Sequence, residues 1–227
     1  MIRRTTGLLL AAVLSPMLLL SAQAKPATKP AAKKPAAEKA APPAPMRFTL
    51  GATGNEARYR VVELLAAATI ENDAVGVTTA LTGGLLIDAT GKVDSSASKW
   101  SVDLTTLKSD KSRRDGYVQG RTLETAKFPK AELVITDLKG LPAKFPTSGE
   151  LKLTLLGNLT LHGITRPTMW DVTAKFEGDH VSGNATTRFN FAEFGMTQPR
   201  VPVVAKVADD IKLEYDFHLI REATPQP

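Results

Sequence analysis

Three histidines, an arginine pair and an aspartate pair are the side chains with the strongest claim to chemistry in this sequence. His162 precedes a glycine in GNLTLHGITRP (157–167), His180 lies in EGDHVSG, and His218 lies in IKLEYDFHL. A catalytic imidazole needs a carboxylate or a nucleophile held against it, and nothing close to His162 in sequence supplies one. The histidines show no HxH, HxxxH or HExxH spacing and the chain has no cysteine, so no zinc or copper site is expected. Asp209 and Asp210 lack the spaced oxygen ligands of a calcium loop. G-x-S-x-G, phosphate-loop and G-x-G-x-x-G patterns are also missing. The expectation is therefore no catalytic residue, no metal and no cofactor. Gly163 supplies the backbone freedom of a turn, so His162 is expected to turn a corner between two strands. Arg113, Arg114 and Asp115 form the densest charged cluster, with Arg121 further along the same segment. Two readings stay open: an anion-binding patch beside an opening, or a helix start whose acid sits at the positive end of the dipole.

The elements that position these residues are mostly strands. Apolar and polar side chains alternate with period two in KWSVDLT (99–105), GELKLTLLG (149–157), TMWDVTAKF (168–176), VSGNATTRFNF (181–191) and IKLEYDFHL (211–219). Weaker candidates cover 57–66, 75–82, 84–89 and 131–138. One wet face and one dry face per strand is the mark of antiparallel pairing. Eight or nine such strands in about 180 residues predict a single closed or nearly closed β-barrel, which also removes exposed edges. A sandwich is the rival. One segment breaks the pattern: 109–129 (SDKSRRDGYVQGRTLETAKFP) reads as a helical insertion. Ser112 and Asp115 suggest a capping box, Gly116 and Gly120 suggest a break near 120, and Tyr117, Leu123 and Phe128 are its expected anchors. Residues 192–207, interrupted by glycine and proline, predict a flap near a mouth. Trp100, Trp170, Phe189, Phe191 and Phe194 are expected in the core, which in a barrel is also the wall of any cavity. Gly83, Gly84, Gly183 and Ala185, small residues within strands, favour a cavity over a filled interior.

The N-terminal region belongs to neither core nor site. Arg3 and Arg4, an apolar run over 8–20 and the small residues Ala22 and Ala24 read as an export signal over 1–24. Its apolar run is well short of the roughly 20 residues of a spanning helix. Residues 25–45, nearly all Ala, Pro and Lys, predict an extended linker. The folded domain is expected over 46–227. Eight of the 29 Lys and Arg residues, but only Glu38 of the 23 acids, lie in 1–47, which leaves 21 bases against 22 acids from residue 48 on. A nucleic-acid partner is not expected, because the basic excess lies outside the domain. The Lys-rich linker could make weak contact with an anionic envelope surface. Without cysteine the fold has no disulfides and is held by packing alone.

Three stretches taken together, 100–133, GELKLTLLGNLTLHGITRPTMWDV (149–172) and FNFAEFGM (189–196), resemble the YceI-like family of exported proteins over about residues 57–220. The family pattern carries an alternating strand, SLxT, RDxHL, a helix ending near YP, then GxLTIxGVTxPV and a DFG-like turn. Here Tyr117 stands in place of the usual histidine, Leu123 in place of an aromatic and Glu193 in place of a frequent aspartate. The resemblance implies an antiparallel, lipocalin-like barrel of about eight strands with a helical plug, enclosing an elongated apolar cavity for an isoprenoid-type lipid. A periplasmic or secreted, non-enzymatic carrier of a polyisoprenoid or fatty-acyl chain is the expected function. Its contacts are expected among Trp100, Arg114, Tyr117, Arg121, Phe128, Trp170, Phe189, Phe191 and Phe194. The alternative is an envelope interaction module whose interior is filled by its own side chains.

Overall fold

Alternating side chains build one antiparallel sheet here, and that sheet closes on itself. The computed structural model describes residues 44–142 and 144–222. The expected leader, and all but the last two residues of the expected linker, lie outside the described residues. The strands are β1 (Met46–Leu50), β2 (Glu56–Leu65), β3 (Asn72–Thr78), β4 (Leu81–Ile87), β5 (Lys99–Asp103), β6 (Lys108–Ser109), β7 (Lys130–Lys139), β8 (Ser148–Leu161), β9 (Ile164–Glu177), β10 (His180–Phe189) and β11 (Val204–Arg221). Their order is β1-β4-β5-β7-β8-β9-β10-β11, and β11 pairs back onto β1 through Phe48 with Arg221 and Leu50 with Leu219. That ring of eight strands is the expected barrel; the sandwich is excluded.

β2, β3 and β6 continue β1, β4 and β5 toward one end, so three wall strands are interrupted rather than additional. β11 is long enough to pair with β2 through Val204–Asp216 and then with β1. The interruption between β1 and β2 is bridged by one side chain. Asn55 Nδ2 donates to the Gly51 and His218 carbonyls (2.9 and 3.1 Å), while Asn55 Oδ1 accepts from the His218 amide at 3.0 Å and the Tyr215 hydroxyl at 3.1 Å. An amide side chain thus replaces the missing ladder bonds, which buried backbone groups require. β1 and the first part of β11 were not among the expected strands; β1 is short, and β11 is irregular between Val207 and Ile211. The expected strand over 75–82 straddles the break between β3 and β4.

The interior has a filled end and an open end. At the filled end Phe145 packs against Phe48 (centroids 5.3 Å apart) and edge-on to Phe176 (5.4 Å), leaving a void of only about 60 Å³. Trp100 and Tyr215, edge to face at 5.5 Å, form the partition between the two ends. Gly183 serves this packing rather than a void. A Cβ there would lie 2.0 Å from the Thr173 carbonyl oxygen and 2.8 Å from the Phe217 ring. Of the four small residues expected to leave room, Ala185 alone borders the cavity.

His162 turns its corner. It and Gly163 are the two linking residues between β8 and β9, both with positive φ (50° and 76°), the signature of a tight hairpin turn. Its Nδ1 lies 3.1 Å from the Phe194 carbonyl oxygen, and the Phe128 ring meets the imidazole edge-on at 4.7 Å.

The inserted helix is shorter than the sequence suggests. α1 (Ser112–Tyr117) runs into a π-turn (Val118–Thr122) closed by the Leu123 amide on the Val118 carbonyl, so the irregularity does fall around Gly120. The expected capping box is absent: Asp115 instead accepts from the Ser109 amide and hydroxyl at 2.8 and 2.6 Å. Leu123 is buried, whereas Tyr117 and Phe128 are half-buried. Arg114 pins the helix to the wall. Its guanidinium donates to Glu63 of β2 at 2.6 Å and also to Asp110, and the Glu63 side chain is only 8% exposed.

Two outcomes follow. Glu63→Ala leaves a largely buried guanidinium short of a partner and is expected to lower stability by about 3 kcal/mol in chemical denaturation, with faster tryptic cleavage after Arg113 and Arg121; replacing both Glu63 and Arg114 by Met recovers most of that loss. Burial, offset in part by Arg114, raises the Tyr59 phenol from 10 to about 12, and burial raises Tyr215 further. A raised tyrosine contributes stability that is complete below pH 10 and is lost as pH climbs through the native value. Unfolding free energy is therefore expected to fall between about pH 10 and 12, and Tyr59→Phe to flatten that fall.

Candidate functional site

Above the Trp100–Tyr215 partition the barrel is hollow. The cavity has a volume of about 1130 Å³, somewhat above the roughly 300–1,000 Å³ of small-molecule pockets. The inward positions of the strands supply its wall: Val61 and Ala74 on the first hairpin, Leu133 on β7, Leu159 and Leu161 on β8, Ile211 on β11. Each is the dry half of an alternating strand, so the rule that folds the sheet also makes the cavity apolar. The tube is deep on one side and open on the other.

Its mouth is built from three irregular segments. The hairpin tip between β2 and β3 contributes Leu65 and Ala67, and the segment before β11 contributes Pro199, Val201, Pro202 and Val203. The Ala66 amide donates to the Val203 carbonyl at 3.0 Å, joining these two. The third segment is the helical insertion with Lys111, Arg113, Arg114, Tyr117 and Arg121. Gln119 Nε2 ties it to the Leu107 carbonyl at 2.8 Å. Residues 192–207 do border the mouth, but from Val204 they are already strand.

Of the residues expected to contact a ligand, Trp100, Arg114, Tyr117, Arg121, Trp170, Phe189 and Phe191 line the cavity or its mouth. Phe128 and Phe194 do not. Phe128 is held by His162 and Gly163 outside the tube, and Phe194 is 1% exposed, packed edge-on against Phe189 behind the wall. Arg114 reaches the mouth with its charge already engaged by Glu63 and Asp110, so of the two readings of the cluster this arginine serves the helix. Arg113 and Arg121 make no ion pair or hydrogen bond to a side chain among the described residues. Tyr59 on β2 also faces the cavity; its alternation with Val61 was legible, but its aromatic character was not singled out.

The remaining candidates for chemistry are structural. His180 and His218 stack on the barrel exterior at 5.2 Å with Nδ1 of the first 2.9 Å from Nε2 of the second, and His218 Nδ1 lies 3.0 Å from the Thr53 carbonyl oxygen. Asp209 accepts from the Phe191 amide at 3.0 Å and Asp210 pairs with Arg188. Among the described residues no three His, Asp or Glu side chains gather as a metal site would require.

Comparison with known proteins agrees with this architecture. A polyisoprenoid binding domain from Saccharophagus degradans, implicated in plant cell wall breakdown, superposes with a TM-score of 0.59 at 14% identity, covering 78% of this chain and 98% of that one. Burkholderia cenocepacia BcnA superposes with a TM-score of 0.52 at 16% identity, over 74% and 96% of the two chains. In sequence, a UPF0312 protein of Pseudomonas putida is 37% identical over 112 residues, which span about half (55%) of that relative and 45% of this chain. The YceI-like domain family matches residues 55–219, from the Asn55 bridge to the part of β11 that closes the ring on β1, and this chain belongs to it.

Proposed function

We propose that this protein is a non-enzymatic carrier that holds one elongated apolar lipid, a polyisoprenoid or a fatty-acyl chain, inside its barrel. One observation carries the reading: a wall of inward Leu, Val, Ile and aromatic side chains surrounds about 1130 Å³ instead of filling it. An apolar interior of that size strands hydrophobic surface unless something greasy occupies it. Each buried methylene contributes about 0.8 kcal/mol, so about ten contribute roughly 8 kcal/mol before the costs of association. The name of the Saccharophagus relative, a polyisoprenoid binding domain, supports the same ligand class. The tail lies toward the Trp100–Tyr215 partition, and the polar end faces the mouth, where Arg113, Arg121 and Lys111 stand. The filled interaction module loses its premise, since only the far end of the barrel is packed solid.

The sequence reading of an export leader over residues 1–24 supports a periplasmic or secreted location for this carrier, with the Lys-rich linker after it free to make weak contact with an anionic envelope surface. Transport, storage and sequestration are all compatible with such a container; none requires a catalytic group.

The test is occupancy. Native mass spectrometry of the protein from its own envelope, followed by lipid extraction, is expected to find close to one apolar lipid per chain. Ala57→Trp with Ala131→Trp places indoles in the lumen and is expected to weaken uptake of a radiolabelled polyprenol by roughly thirtyfold, since displacing two or three methylenes removes about 2 kcal/mol. Protein that emerges empty, and then takes up neither polyprenol nor fatty acid, would falsify the carrier.

A further inference from the structure

The mouth differs from the rest of the exterior in a way that ligand holding does not require. Ile70, in the loop of the β2–β3 hairpin, is 78% exposed, and Val203, bonded to Ala66 of the same loop, is 55% exposed. They are two of four large hydrophobic side chains that stand out in solvent among the described residues. Ala66, Ala67, Ala68 and Pro202 extend the same exposed apolar edge, and the Ala66–Val203 hydrogen bond fixes it as one surface. Isolated apolar side chains on a surface mean little, but a contiguous patch bordering an opening marks an interaction site.

Charge around this edge has one sign left over. Four acids of the mouth are already paired with cations: Glu63 with Arg114, Asp110 with Arg114 and Lys111, Glu71 with Lys206 at 2.9 Å and Asp73 with Arg60 at 2.7 Å. Asp115 is bonded only by the neutral Ser109 and offsets at most one of the three arginines that remain. Arg113, Arg121 and Arg200 have no carboxylate among the described residues. The domain from residue 48 on carries 21 bases against 22 acids, so this positive excess is a local arrangement and not a consequence of overall charge. Exposed aliphatic tips flanked by uncompensated arginines complement a bilayer that presents acyl chains beneath anionic phosphates.

We propose that the mouth is a docking surface for an anionic lipid bilayer: Ile70 and Val203 enter the headgroup boundary while Arg113, Arg121 and Arg200 meet lipid phosphates. The inference rests on the carrier reading only for its purpose. Docked mouth-down, the cavity opens directly onto the membrane, and an apolar chain passes between bilayer and barrel without crossing water.

The test uses the full mature chain and vesicles of phosphatidylglycerol with phosphatidylcholine. Because the protein has no cysteine, Ile70→Cys and Ser148→Cys each accept a single environment-sensitive label, the first at the rim and the second at the filled end. The rim label is expected to shift to the blue on adding anionic vesicles, and the far label to stay unchanged. Arg113→Gln with Arg121→Gln is expected to weaken vesicle binding about thirtyfold, at roughly 1 kcal/mol per arginine. Equal responses from both labels, no retention on vesicles, or binding insensitive to the arginine pair each overturn the docking surface; the last assigns the attraction to the Lys-rich linker. Mass spectrometry of a second variant, Ile70→Gln with Arg200→Gln, two rim residues that do not line the cavity, separates the two ideas. Lost docking with lipid still bound supports the surface, whereas a wild type that docks yet holds no lipid leaves the surface standing and removes the carrier.

Discussion

Closure of the sheet is the constraint on which the rest depends. Three residue pairs between β1 and β11 convert an open ribbon into a ring, and an open ribbon could not tolerate a hollow interior. Without closure, edge amides would invite aggregation and the two inner faces would collapse onto each other. Once the ring is complete, backbone hydrogen bonds hold the wall in place whether or not its lumen is filled. The Asn55 side chain matters for the same reason: it keeps β11 bonded while its partner changes from β2 to β1.

Packing density is distributed unevenly along the barrel, and that unevenness separates stability from function. The phenylalanine cluster around Phe145 gives the molecule a conventional core at one end, where small residues such as Gly183 bring backbones close enough for rings to interlock. The other end forgoes that packing. Its stability instead comes from devices at the perimeter: the Glu63–Arg114 pair, the Gln119 amide on Leu107, and the His162 turn that ties the β8–β9 corner to the Phe194 carbonyl. His162, the residue most easily mistaken for a catalyst, is one of these fasteners.

Period-two alternation made β5, β7, β8, β9, β10 and the second part of β11 legible, along with the direction in which Trp100, Leu155, Trp170 and Phe189 face, because each reads from neighbours a residue or two away. What escaped depends on distant partners. β1 is five residues long and becomes a strand only because β4 and β11 flank it. The start of β11 is masked by Asp209 and Asp210 inside its irregularity. Phe189, Phe191 and Phe194 look alike in sequence, yet the turn at 191–194 carries the last of them behind the wall. Arg114 could not be read as a fastener, since the acid that engages it lies 51 residues earlier. Cavity and core were indistinguishable in advance because inward leucines look the same in either.

The partition of Trp100 and Tyr215 has a further consequence. Tyr215 is held by its hydroxyl on Asn55 and packs edge to face with Trp100, so the tube has an aromatic base at a set depth. Such a base is a ruler. An acyl or prenyl tail shorter than the tube leaves unfilled space above the indole, and a longer one is forced to protrude or fold back. For the proposed carrier, selection among chemically similar chains would then operate on length rather than on functional groups.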